Sequence, residues 1–153
     1  MKYLKNNLRN DTDILHEYFI ARTEFIPFID GVRKILKLNN VNLLNASVRV
    51  VHQEDIALNY ASKEMFSIVL YVNQRTNAAG NEKIAKTTRE LIDLTISMGG
   101  RFFLPYQLHY TPEQLERSYP EIRAFFEAKK RFDPQGILTN TFYEKYSRSL
   151  TTH

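Results

Sequence analysis

Two consecutive segments, NLLNASVRVV (42–51) and MFSIVLYVNQ (65–74), alternate in character with a period of two. In the first, Leu44, Ala46, Val48 and Val50 stand against Asn45, Ser47, Arg49 and Val51. In the second, Phe66, Ile68, Leu70 and Val72 stand against Ser67, Val69, Tyr71 and Asn73. A strand sends successive side chains to opposite faces, so both segments read as strands with one plainly apolar face that other elements must cover. That requirement limits the chain to a layered fold.

The covering elements flank the pair. In TEFIPFIDGVRKILKLNN, Phe25, Phe28, Ile29, Val32, Ile35 and Leu36 recur at helical spacing. Thr23 is the expected N-cap, Pro27 falls early enough to be tolerated, and the helix should end near Asn39-Asn40. A second helix is expected over 81–98, with Ile84, Thr88, Leu91, Ile92 and Thr95 on one side, a loop over 77–80 before it and Gly99-Gly100 as its stop. ILHEYFIA (14–21) reads as a first strand and RFFLPY (101–106) as a fourth, closed by Pro105. The order β-α-β-β-α-β predicts an α+β, ferredoxin-like sandwich: four antiparallel strands with both helices on one face. The tail adds a short helix from Thr111-Pro112 and a second over EIRAFFEAKKRF. Asp133-Pro134 stops it, Gly136 turns the chain, and ILTNTF is expected to leave as an extended apolar strand. Three parts follow: a polar leader (1–13), the α+β unit (14–110) and a C-terminal extension (111–153).

With 153 residues, 43% of them hydrophobic, the chain suits one core rather than two. Its 21 Lys+Arg and 17 Asp+Glu are interspersed, so no nucleic-acid partner is expected. The absence of cysteine removes disulfides and thiolate chemistry. No run approaches the ~18 apolar residues of a membrane span, and MKYLKNNLRNDTD is polar where a signal peptide would be apolar. A soluble, cytoplasmic protein is expected.

The four histidines show no ligand spacing and no HExxH, Gly99-Gly100 precedes a strand rather than opening a helix, and no GxSxG elbow occurs. Autonomous catalysis is not legible, and no metal site is expected. What remains is the polar sheet face, where Arg49 and Ser47 face the row Ser67, Tyr71 and Asn73. Such a face can hold a hydroxyl-rich or anionic ligand through the guanidinium fork, or can simply meet water. Tyr106, Gln107 and His109, just past strand four, can line the same pocket or be ordinary loop.

Three stretches read together narrow this choice: EYFIARTEFIPFIDGVRKIL, GGRFFLPYQLHYTPEQLERSYP and KKRFDPQGILTNTFYEKY. In that order, over roughly residues 14–146, the chain resembles the C-terminal half of FAD-linked oxidoreductases of the vanillyl-alcohol oxidase type, notably sugar-lactone, alditol and decaprenylphosphoryl-ribose oxidases. The resemblance implies a substrate-facing cap whose sheet lies over a flavin held by a separate N-terminal domain, which nothing in this sequence resembles. FAD and an FAD-binding domain, supplied in trans or lost, are therefore the implied cofactor and partner, with a small polyol or sugar oxidised at a CH-OH group.

Positions matching the relatives' pockets are Tyr18, Arg49 and Tyr71, with the match near strand four falling on Tyr106 and Gln107; Ser47 and Asn73 stand beside Arg49 and Tyr71 on the same face. Relatives carry a lysine near the position of Gln107. This chain has none between Lys86 and Lys129, so Tyr106 or His109 is the implied catalytic group that orients the substrate hydroxyl. Asn140 falls in the segment that returns to the flavin domain. The alternative is a non-catalytic ferredoxin-like module that binds a small ligand or forms a homodimer through its open sheet face.

Overall fold

The computed structural model describes residues 10–150. The elements run β1 (Asp11–Ala21), a 3-10 turn (Arg22–Glu24), α1 (Phe25–Leu38), β2 (Asn42–Val51), β3 (Met65–Arg75), α2 (Ala78–Ser97), β4 (Arg101–Phe102), α3 (Pro112–Ser118), α4 (Ile122–Phe132) and α5 (Thr141–Leu150). The four strands form one sheet in the order β2-β3-β1-β4, every neighbouring pair antiparallel. Phe28, Val32 and Leu36 of α1 and Ile84, Leu91 and Ile92 of α2 share one core with Tyr18, Ile20, Ile68, Leu70 and Val72 of the sheet. Both long helices therefore cover the same face, as the alternating strands require.

Several boundaries differ from the sequence reading. Strand β1 begins at Asp11 because Asp11–Asp13 pair with Asn73–Arg75, so the end of the polar leader is strand; residues 1–9 lie outside the described residues. Thr23 is not a cap, since a 3-10 turn precedes α1 and Glu24 holds the cap position without a side-chain bond. The stretch read as a loop over 77–80 opens α2, where Asn77 Oδ1 accepts from Gly80 N (2.8 Å). At the other end Gly99 takes φ +66°, the left-handed conformation that a helix stop favours.

Strand β4 is two residues long, and past it Phe103 N still donates to Glu17 O (2.9 Å). The expected C-terminal strand does not form. Residues 137–140 are irregular, Asp133 accepts from the amides of Ile137 (3.0 Å) and Leu138 (2.8 Å), and α5 follows.

The C-terminal helices join the sandwich rather than leaving it. Leu115, Tyr119, Ile122, Phe126, Tyr146 and Leu150 are buried in the same core, and Tyr146 stacks on Tyr110 at 4.6 Å. Helix α3 starts with a capping box: Thr111 Oγ1 accepts from Gln114 N (3.2 Å) and Gln114 Oε1 accepts from Thr111 N (3.1 Å). Gln114 Nε2 also donates to Arg89 O (2.9 Å), tying α3 to α2. Thr111→Ala is expected to lower the unfolding free energy by about 1 kcal/mol, read from urea melts. An unchanged midpoint would mean that the packing of α3 alone sets its start.

Candidate functional site

Residues paired across strands share a face. The pairs Arg49-Ser67, Ser47-Val69 and Asn45-Tyr71, with Phe19-Ser67, Glu17-Val69 and Asp13-Asn73, define the face opposite the helices. Ser47, Arg49, Tyr71 and Asn73 thus stand together on it, as the alternation predicts. A one-residue slip would have sent all four into the core.

This face divides along its length. At one end Phe19, Ala61 and Met65 form a small second core with Val51, Tyr60 and Phe103, because the loop over 52–64 folds across it. Glu54 pins that loop by accepting from Tyr60 N (2.8 Å) and Ala61 N (3.4 Å). In the middle, the buried Glu17 carboxylate accepts from the Ser67 hydroxyl. At the other end Asp13 accepts from Tyr71 Oη (3.0 Å) and Asn73 Nδ2 (2.8 Å). That hydrogen bond, then partial burial and the Asp13 charge, raise the Tyr71 pKa. Arg49 is exposed, and its guanidinium makes no hydrogen bond or ion pair with the described residues. Arg75, at the far end of β3, shares this face and is likewise exposed, but Arg49 is the one set beside Ser47 and opposite Ser67.

Tyr106 and Gln107 lie at the β1 margin of the face. The Tyr106 ring meets Phe103 at 4.5 Å, and both residues line a small space with Glu17 and His16. Arg49 is three strands away, about 14 Å at ~4.8 Å per strand. The two groups flank the face rather than touching.

Tyr18 and His109 are not brought to it. Tyr18 pairs with Ile68 and Phe102, which places it in the core under the helices, fully buried and packed on Phe28. Strand parity decides this: with Arg49 and Tyr71 on one face, the register sends Tyr18 to the other. His109 sits between α2 and α5, where Arg89 donates to its carbonyl (3.4 Å). Partial burial, then Lys145 and Arg89, lower its pKa. Asn140 caps α5, its Oδ1 accepting from Tyr143 N (2.9 Å).

Sequence reasoning missed Glu17, Asp13 and Tyr60. For the first two the signal was present, since alternation along HEYFI, anchored on the apolar Ile20, places Glu17 opposite the core. The loop carrying Tyr60 gives no periodic signal.

Beside the sandwich, Leu58, Leu104, Pro105, Phe125, Phe132 and Leu138 line an apolar groove of about 840 Å3, with Phe132 81% and Leu138 73% exposed. Among the described residues there is no cluster of three or more His, Asp or Glu able to hold a metal, and no helix is long and apolar enough to cross a membrane.

A family model described as D-arabinono-1,4-lactone oxidase matches residues 14–146. No curated protein matches the chain.

Proposed function

Because the chain belongs to the D-arabinono-1,4-lactone oxidase family, and so carries the C-terminal domain of FAD-linked oxidases, we propose that it is the substrate-binding cap of an enzyme oxidising a CH-OH group of a sugar, alditol or lactone. The observation that carries the reading is Arg49, an unengaged guanidinium on the sheet face away from the helices, with Ser47 beside it and Tyr71 and Asn73 on the next strand. A guanidinium fork with neighbouring hydroxyl and amide groups suits a ligand rich in oxygen.

The donor set fits the cover of a flavin ring and not the cradle of its phosphates. Gly99 and Gly100 end a helix, and Gly136 follows one; among the described residues no glycine-rich turn opens a helix. FAD, held by a flavin-binding domain, supplies hydride acceptance when bound. This chain's residues bind and orient. Arg49 and Ser47 hold substrate oxygens, Tyr71 and Asn73 close the row with their rings and amides set by Asp13, and Tyr106 and Gln107 bound the far side. Glu17, buried on the same face, accepts from the Ser67 hydroxyl and so orients it behind Arg49. The groove at Phe132 and Leu138 is where the flavin-binding domain docks, with Asn140 at its margin.

The test is substrate-dependent flavin reduction by the chain assembled with a flavin-binding domain of this family. Arg49→Ala should slow reduction by about 10- to 100-fold, the loss of a charged hydrogen bond of ~1.5–3 kcal/mol, while Arg89→Ala on the helix layer should change it less than twofold. Equal effects of the two substitutions would remove Arg49 from the site. An assembly that forms but reduces no flavin with any lactone or polyol would overturn the oxidase reading.

A further inference from the structure

We propose that the outer edge of β2 pairs with β2 of a second copy of this chain, joining two four-stranded sheets into one across a two-fold axis. The two edges of the sheet are treated differently. Beyond its two-residue strand, the β4 edge continues into residues 103–107, where Phe103 N donates to Glu17 O and Tyr106 and Gln107 lie beside His16 and Glu17. The β2 edge is ten residues long and exposed along nearly its whole length. It carries neither lysine nor proline, the usual guards of a free edge, and its single charge is Arg49. On the helix side Val48 and Val50 are 49% and 55% exposed, because α1 sits over the inner strands and leaves a groove along Leu43 and Ala46.

What favours a second copy is the strand's complementarity to itself. The bulge between Leu43 and Asn45 ends the regular pairing on one side and Val51 ends it on the other, so the usable run is 45–51. Its midpoint is Val48. Antiparallel pairing about that residue sets Val48 against Val48 and Ala46 against Val50 on the apolar side, and Ser47 against Arg49 on the polar side. No like charges fall directly opposite one another, and on the helix side every apolar residue meets an apolar one, the only mixed pair being Asn45 against Val51 at the ends of the run. An isologous contact demands this self-matching. Both sheet faces stay clear, so the pairing does not depend on the flavin reading and does not compete with it.

The chain has no cysteine, so single-cysteine variants report the register cleanly. Sedimentation should give a dimer for the native chain. Val48→Cys should be captured as a dimer by a short bis-maleimide at least tenfold more efficiently than Ile56→Cys, an exposed site in the loop past β2. Val48→Lys should sediment as a monomer with unchanged circular dichroism. A native chain that is monomeric at every concentration, equal capture at positions 48 and 56, or a Val48→Lys variant that stays dimeric would each overturn the proposal.

Discussion

Tyr119→Ala is expected to lower the unfolding free energy by about 3–5 kcal/mol, the range for emptying a buried aromatic site. Tyr119 is fully buried where α3 ends, and its hydroxyl donates to the carbonyl of Phe102 in β4. Its ring meets Phe102 edge-on at 5.8 Å, and the Arg101 guanidinium lies 4.8 Å from its centre while pairing with Glu121. One side chain thus fastens the C-terminal helices to the last strand. Tyr119→Phe isolates the polar part: it keeps the ring, strands a buried carbonyl and should cost about 1–2 kcal/mol. Urea melts followed by far-ultraviolet circular dichroism measure both. A loss below ~1 kcal/mol for the alanine variant would mean that the helices come away from the sheet at little cost and that the shared core is not one cooperative unit.

How much of this was legible depends on what each feature rests on. The four-stranded antiparallel sheet with both long helices on one face followed from the β-α-β-β-α-β order of elements and the one-sided apolar rows of β2 and β3; the order of strands within the sheet is given by the structure. The placement of Ser47, Arg49, Tyr71 and Asn73 on one face followed from the same parity. Tyr18 was misplaced for want of parity: it was matched to a pocket by resemblance, whereas the alternation along β1 puts it level with Ile20 in the core. His109 had no periodic context, and only the packing of α2 and α5 fixes it.

The tail shows a different limit. ILTNTF has strand-like composition, yet Asp133 accepts the amides of Ile137 and Leu138, and Asn140 caps the next helix. Short polar side chains that bond nearby amides override apolar composition. The loop over 52–64 is held by Glu54, whose partners are backbone amides, by Arg101 donating to the Asn59 carbonyl (2.7 Å) and by the Arg22–Glu64 pair (2.7 Å), contacts between distant residues that no local pattern announces.

A pH titration of stability should expose His16, which is 4% exposed beneath the helices with no partner for Nε2. Its Nδ1 lies 3.3 Å from the Tyr18 hydroxyl, and the ring stacks over that of Tyr18. Burial, then the neighbouring His109, lower its pKa to about 4. In the unfolded chain the same ring titrates near 6.5. Below that value the unfolded state takes up a proton that the folded state refuses, so stability is full above pH ~6.5 and falls as pH drops towards 4. A shift of this size is worth about 3 kcal/mol at ~1.4 kcal/mol per unit. His16→Leu keeps the site apolar and removes the titration. The native chain should therefore lose about 3 kcal/mol more than the variant between pH 7 and pH 4, read from urea midpoints at each pH. Parallel curves for the two proteins would assign the acid sensitivity to carboxylates such as Asp133, whose pKa is held near 2 by Lys129 and the amides that follow it. That group would weaken the fold only below the unfolded aspartate range near 3.9, so the two causes separate along the pH axis: histidine loss begins near 6.5, carboxylate loss more than two units lower.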